Sequence, residues 1–547
     1  MDNRDIAKTF QLLGKIMELH GENQFKTRSY ANAYMTIRKW PDALSEMSHD
    51  AIAEIPGVGK AIYGKIIELL ETGEIQTLNK YLEMTPPGIV DLLQMKGFGP
   101  KKVKTVWEEL GIESAGELLY AVKENRLIEL KGFGAKTQEA LRIQLEYHIE
   151  SADKLHYAVA QKIADRLMTL LDSRFNDELT QFTGAIYRKE QVINQIDIIT
   201  TISKNAFHEY YSTIEEGSII GEKYHFMNIF LNVIYSKREN FHYELVKSST
   251  AEDFFNSLKI PSGQYDSEIS VFTDNQLPYY IPEFREDENV RYISNYRNSD
   301  NVVSFEDIKG CIHNHSTYSD GLNTIEEMIQ AASEKSYEYF VLTDHSKSAF
   351  YANGLQIERL FQQLEEVRQL DQSNPDIKLF SGIESDILAN GELDYPDDVL
   401  AELDVVIASV HSNLKMDEEK ATNRLLAAIE NPFTSILGHP TGRLLLSRKG
   451  YPVDHKKIID ACAANNVCIE INASPYRLDL DWRWIQYAME KDILLSINPD
   501  AHSVEGINDI FFGVCAARKG GLSKYSCLNA FDVEEFEEWL IEQHQKR

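Results

Sequence analysis

No apolar stretch in this sequence approaches the roughly 18 residues that a membrane span needs. Its opening, "MDNRDIAKTF", has neither a basic segment leading into an apolar one nor a cleavage site. These absences predict a soluble, cytoplasmic protein with no membrane partner. Cysteine is scarce: Cys311, Cys462, Cys468, Cys515 and Cys527 all lie after position 300, and none forms a CxxC pair. That pattern predicts buried free thiols rather than disulfides or a thiolate zinc site. Positive charge is also in deficit, with 56 Lys and Arg against 86 Asp and Glu, a net charge of −30 that argues against a general polyanion binder. The deficit is uneven: −3 over residues 1–150, −8 over 151–300 and −19 over 301–547. Any nucleic-acid contact is therefore expected in the near-neutral N-terminal part.

What is present is ample core material. The 547 residues are 43% hydrophobic, enough for roughly three to four domains. Residues 1–150 carry apolar side chains at three- and four-residue spacing and read as almost entirely helical. Within them a pattern repeats: "IPGVGK" at 55–60, "MKGFGPKK" at 95–102 and "LKGFGAK" at 130–136. The Gly-apolar-Gly core suits a tight turn between two helices. Glycine accepts left-handed backbone angles and close approach of a phosphate, and the helix that follows offers free N–H groups at the positive end of its dipole. Such helix-hairpin-helix turns grip the DNA backbone without reading bases. The expected contacts are Gly57, Gly59 and Lys60 in the first turn, Gly97, Gly99 and Lys101 in the second, and Gly132, Gly134 and Lys136 in the third.

From about 155 to 300 helices alternate with strands, the candidate strands being "QVINQIDIITTI", "FMNIFLNVIY" and "NFHYELV". After 300 seven apolar runs, "GCIHNH", "YFVLTDH", "KLFSGIE", "VVIASVH", "SILGHP", "VCIEINA" and "LLSINPDAH", are separated by helical segments such as "TIEEMIQAASEK". Repeated strand–helix units build a parallel sheet with reactive residues at the carboxyl ends of its strands. Those ends supply His313, His315, Asp320, His345, Glu384, His411, His439, Asp500 and His502. Nine nitrogen and oxygen donors without sulfur suit two or three borderline metals, manganese, zinc or iron, in an arrangement fit for phosphoester hydrolysis. Arg443, close behind His439, is a candidate for holding a substrate phosphate, or for a salt bridge to an acidic neighbour. The charged stretch "LDYPDDVLAELD" at 393–404 reads as a solvated helix.

Across nearly its whole length the chain resembles the bacterial family X DNA polymerases that carry a C-terminal PHP (polymerase and histidinol phosphatase) domain. "GENQFKTRSYANAY" and "GVGKAIYGKIIELLETGEI" are similar to that family's small lyase domain. The resemblance implies that Lys65 matches the lysine forming a Schiff base with a 5′-deoxyribose phosphate, with Lys26 and Tyr30 around its pocket. "TGAIYRKEQVINQIDII" follows the frame of the family's palm and loses its chemistry. Gly184 and Arg188 remain, but Ala185 replaces a serine, Tyr187 an arginine, and Gln195 the first of two aspartates, leaving Asp197. A neutral amide does not balance divalent charge as a carboxylate does, so magnesium at this palm lacks its full ligand set; Glu244 is the nearest acid for a third position.

"HNHSTYSDG", "TDHS", "GIESDI", "SVHS", "GHPTGRLLLSRKGY", "EINASPYRLDLD" and "INPDAHS" match the PHP domain, a distorted seven-stranded barrel, and all nine ligand positions carry the expected residue type. The expected architecture is multidomain: an all-α lyase-like domain at 1–85, a helix-hairpin-helix region at 86–152, an α+β palm and thumb at 153–300, and an α/β PHP barrel at 301–547. The resemblance implies a monomeric, metal-dependent 3′–5′ exonuclease of DNA repair, acting on gapped, nicked or 3′-recessed DNA with polymerisation lost. A gap-filling polymerase, a small-molecule phosphomonoesterase and a non-catalytic DNA scaffold are the alternatives.

Overall fold

The computed structural model describes all residues except 96, 129, 131, 151–153, 228, 295, 297–298 and 375, and leaves out the side chains of 147, 148 and 150. The chain forms two compact units, the first comprising 1–122 with 127–145 and the second 123–126 with 146–547.

The first unit is helical. Helix Asn3–Leu19 buries Ile6, Phe10, Leu13 and Met17, the three- and four-residue spacing that lines one face. It packs on helix Gln24–Lys39 at Gly14, where a Cβ would meet the Cβ of Tyr30 at 3.2 Å. The first glycine of each turn takes the same backbone conformation. Gly57, Gly97 and Gly132 take φ of +88°, +80° and +94°, the left-handed region that a side chain resists. Val58, Phe98 and Phe133 are buried beneath the turns, and new helices begin at Lys60, Pro100 and Ala135.

The second unit holds a palm-like sheet and a barrel. Five strands lie in the order Thr180–Thr183, Gln195–Thr200, Ile229–Tyr235, Lys223–Phe226 and Gly217–Ile220. Strand Gln195–Thr200 pairs antiparallel with the first and parallel with Ile229–Tyr235. The third expected strand, "NFHYELV", is instead the helix Phe241–Ser249. Phe241 and Leu245, and Tyr243 and Val246, fall on buried helical spacing, and that packing overrides their strand propensity.

All seven strands expected after residue 300 form. They run Gly310–Asn314, Tyr339–Leu342, Lys378–Asp386, Val405–Ser409, Ile436–Leu437, Cys468–Asn472 and Leu495–Asn498, parallel and each beside its sequence neighbour. Past the last strand, Ala501 accepts from the His315 N–H and donates to His313 O, which brings the two edges together into a nearly closed barrel. Helix Val533–His544 packs Phe536 on Tyr339, with ring centroids 4.3 Å apart. Residues 393–404 correct the sequence reading: only Asp397–Leu400 is helical, and Leu393, Asp394, Tyr395, Leu400 and Leu403 are buried. The five cysteines are buried and free, and burial pushes the Cys311 and Cys527 thiols up to about 12. Among the described residues no helix is long and apolar enough to cross a membrane.

Candidate metal centre and nucleic-acid interface

The nine residues predicted from strand ends converge at the carboxyl end of the barrel, eight of them buried and His411 half-buried. Glu384 is the hub: its carboxylate lies 2.9 Å from His345 Nδ1, 3.0 Å from His439 Nε2, 3.1 Å from His411 Nε2 and 3.3 Å from His313 Nε2. Asp320 lies 3.4 Å from His502 Nε2 and 3.5 Å from His345 Nε2, and Asp500 lies 3.1 Å from His315 Nε2. The donor atoms form overlapping groups, among them His315, Asp320, His345 and His502, and His313, His315, Glu384 and Asp500. His313 and Asp500 hold left-handed φ values of +68° and +53°, strain of the kind that folds retain at functional sites.

Many of these atoms approach one another without hydrogen-bonding alignment. His313 Nε2, His315 Nδ1, both nitrogens of His345, His439 Nδ1, His502 Nε2, Asp320 Oδ2 and Glu384 Oε2 are buried with no hydrogen-bond partner among the described residues. Buried polar groups are ordinarily satisfied. Donors aimed at a shared point rather than at each other fit a set of metal ions. Burial opposes ionisation of the three carboxylates, but the neighbouring imidazoles outweigh it. His345 and His502 hold Asp320, His411 and His313 hold Glu384, and His313 and His315 hold Asp500, each well below the usual carboxylate range.

Two further acids escaped the sequence reading. Glu470 Oε2 lies 2.6 Å from His313 Nδ1, and Asp386 Oδ1 lies 2.6 Å from His411 Nδ1. Each fixes a proton on Nδ1 and leaves the Nε2 lone pair facing the centre. Asn472 and Asn498 donate to Glu470 in turn. Both acids left a signal: Glu470 sits inside the apolar "VCIEINA", the one strand with no assigned donor, and Asp386 falls two residues from Glu384, on the same face of its strand.

Arg443 takes the salt bridge. Its Nη1 lies 2.5 Å from Asp481, Nε donates to Arg477 O at 3.0 Å, and Nη2 donates to Leu478 O, so its fork is spent on the barrel's own loop. In the palm, Asp197 Oδ1 accepts from Gln195 Nε2 at 2.7 Å and from Asn232 Nδ2 at 2.8 Å. Asn232 pairs in register with Asp197 on the adjoining strand, so the third position facing this site is also an amide, and Glu244 lies on a helix instead. Burial pushes the Asp197 carboxyl up, although both amides and Arg188 work against it. Arg188 is drawn to Glu286 at 3.0 Å and Glu190 at 3.2 Å, and Tyr187 donates to Glu268 at 2.7 Å.

At the hairpins Gly59, Gly99 and Gly134 face open space, and the first two cap their helices with no side-chain bond. Lys60, Lys101 and Lys136 are exposed beside them. Lys65 Nζ lies 2.6 Å from Glu68, Lys26 is 3.2 Å from Glu22, and Tyr30 is buried, so two carboxylates accompany the lyase-like lysines.

A parallel barrel with this donor set, joined to backbone-gripping hairpins, defines a DNA-binding protein with a metal-binding PHP phosphoesterase domain. Residues 1–75 match the helix-hairpin-helix domain family, 89–146 the SAM-like helix-hairpin-helix tandem and 312–474 the PHP domain. The chain is 31% identical to the DNA polymerase/3'-5' exonuclease PolX of Bacillus subtilis (strain 168) over 580 aligned positions, 99% of each chain. It is 27% identical to a probable phosphatase of Thermoanaerobacter sp. (strain X514) over 252 residues, 43% of this chain and 95% of that protein. A probable phosphatase of Caldanaerobacter subterraneus subsp. tengcongensis is 27% identical over 175 residues, 30% of this chain and 62% of that one. The chain belongs to the bacterial PolX family, the family X DNA polymerases with a C-terminal PHP domain.

Proposed function

We propose that this protein is a 3′–5′ exodeoxyribonuclease of DNA repair that has given up polymerisation, working as a cytoplasmic monomer on gapped, nicked or 3′-recessed DNA. The observation that carries the reading is the convergence of nine residues, eight in overlapping donor groups and His439 beside Glu384, with partnerless buried atoms among them, together with a palm whose single aspartate is held by two amides. Two or three manganese, zinc or iron ions held by the nine would activate water and neutralise charge on a phosphoryl group when bound. Glu470 and Asp386 keep His313 and His411 in the right tautomer, and the buried strand ends exclude bulk water from the donors. The hairpins hold the phosphate backbone, which positions the strand end without reading its sequence. Lys65, with Lys26 and Tyr30, is retained as a second, lyase-type site of the same substrate class.

The test uses a gapped duplex labelled at the 3′ or the 5′ end, with manganese, with and without nucleotides. The 3′ label should be released first, and nucleotides should bring no primer extension. Adding Gln195→Asp alone should not create extension, because Asn232 still faces Asp197 with an amide. Robust extension by the wild type, or 5′-first degradation, sinks the reading. Because two of the relatives are named probable phosphatases, turnover of a small phosphomonoester with DNA left untouched would favour that activity instead.

The hairpins predict a salt signature. Replacing Lys60, Lys101 and Lys136 together by Gln should weaken DNA binding regardless of sequence and flatten the slope of log affinity against log salt by about 3, near 0.9 per lost phosphate contact. A titration series with an unchanged slope would remove those lysines from the interface.

A further inference from the structure

The segment Lys123–Arg126 belongs to the second unit although the chain on both sides of it folds in the first. It is fixed beside the barrel's donor cluster at two points. Lys123 Nζ donates to Tyr476 Oη at 2.7 Å, lies 4.7 Å from that ring's centroid and pairs with Glu146 at 3.4 Å. The Arg126 guanidinium lies 5.0 Å from the ring centroid of Tyr351, which itself stands 6.4 Å from the His345 ring. Between these anchors Glu124 is only 5% exposed.

A carboxylate buried to that degree needs a cationic partner. Arg126 approaches it at 2.6 Å on one side. On the other, a carboxylate oxygen of Glu124 and donor atoms of Asp500 and His502 all lie within 4.8 Å of one another. His502 Nε2 has no hydrogen-bond partner among the described residues. The ion pair with Arg126 still leaves the Glu124 carboxylate close to the Asp500 carboxylate beside His502, two like charges in a buried space. A divalent cation among the three resolves that crowding, and carboxylate with imidazole is a donor set that manganese or zinc accepts.

We propose that Glu124 is a tenth ligand of the barrel's metal centre, closing the group formed with Asp500 and His502. The centre is then built in part from the segment between the second and third hairpins, and metal binding ties that segment to the hydrolytic site. The inference rests on the metal-site reading above. The experiment is manganese titration of the full-length protein by equilibrium dialysis, alongside amide exchange across residues 123–126 with and without manganese. Glu124→Gln keeps the shape and removes the charge. It should bind one manganese fewer per chain, or bind its weakest one at least about tenfold more weakly. Glu124→Asp should recover part of the loss at an equal melting temperature. In the wild type, manganese should slow exchange across 123–126. Unaltered stoichiometry and affinity in Glu124→Gln, or exchange indifferent to bound manganese in the wild type, overturns the proposal alone. A wild type that binds no manganese or zinc overturns the metal-site reading with it.

Discussion

Alanine at Glu384 should reduce release of a 3′-terminal nucleotide by about 10³-fold or more, a loss near 4 kcal/mol of transition-state stabilisation, and alanine at His313 should do nearly the same. Glu384 reaches four of the imidazoles at 2.9–3.3 Å, so its removal dismantles several donor groups at once. His313 adds the link to Glu470, and its loss leaves that buried acid without its imidazole. The two effects should not add, since both residues serve one centre. DNA affinity should change little, because the proposed backbone grip lies in the hairpins, far from these residues in the sequence. Rates are read from the labelled gapped duplex, with binding followed separately by anisotropy. If either variant degrades DNA at the wild-type rate, the hydrolytic site is not in the barrel.

The second large effect is on stability. Glu283, on the segment "IPEFRED", is buried against the barrel helix Ile510–Lys519, where its Oε1 takes Lys189 at 2.7 Å and Arg518 at 3.0 Å. Beside it Lys519, fully buried, meets Glu286, which also holds Arg188. Burial works to raise the Glu283 carboxyl, but Lys189 and Arg518 outweigh it and push it down to about 2 from an ordinary 4.5. That difference is worth about 3 kcal/mol at neutral pH. Since the folded-state value is the lower one, the stabilisation is complete above about pH 4.5 and is lost as the pH falls towards 2. Glu283→Gln should therefore melt well below the wild type at pH 7, with two buried cations left short of charge, and the gap should narrow steadily as the pH is lowered from 5 to 2. Thermal melts across that range decide it. A gap that stays constant with pH would mean that this ion pair does not set the stability of the junction.

The same network reaches into the palm. Arg188 and Tyr187, in the stretch that resembles the family's palm, spend their donors on Glu286, Glu190 and Glu268. These donors lie in an interior network rather than on an open cationic surface.

How much of this was legible in the sequence follows from what is local. Left-handed glycines, period-two apolar runs and a histidine or acid closing a strand are written in a few adjacent residues. The three hairpin turns, the seven barrel strands and the nine residues that converge at the strand ends could therefore be read directly, because a parallel strand–helix repeat places every strand end on one rim. The strand assigned to "NFHYELV" failed where local propensity was ambiguous and packing chose the helix. Which groups face one another was never local. Asn232 meets Asp197 only through the register of two strands, Glu470 and Asp386 reach His313 and His411 only after the barrel closes, and Arg443 turns to Asp481 rather than outward. Glu124 lies more than 370 residues before Asp500, and no spacing rule joins them. The sequence by itself determined the elements and the chemical type of each strand end, because those depend on neighbours along the chain. The tertiary structure alone decided which donors share a centre and which charges are spent in pairs, because distance and burial arise only when the chain has closed on itself.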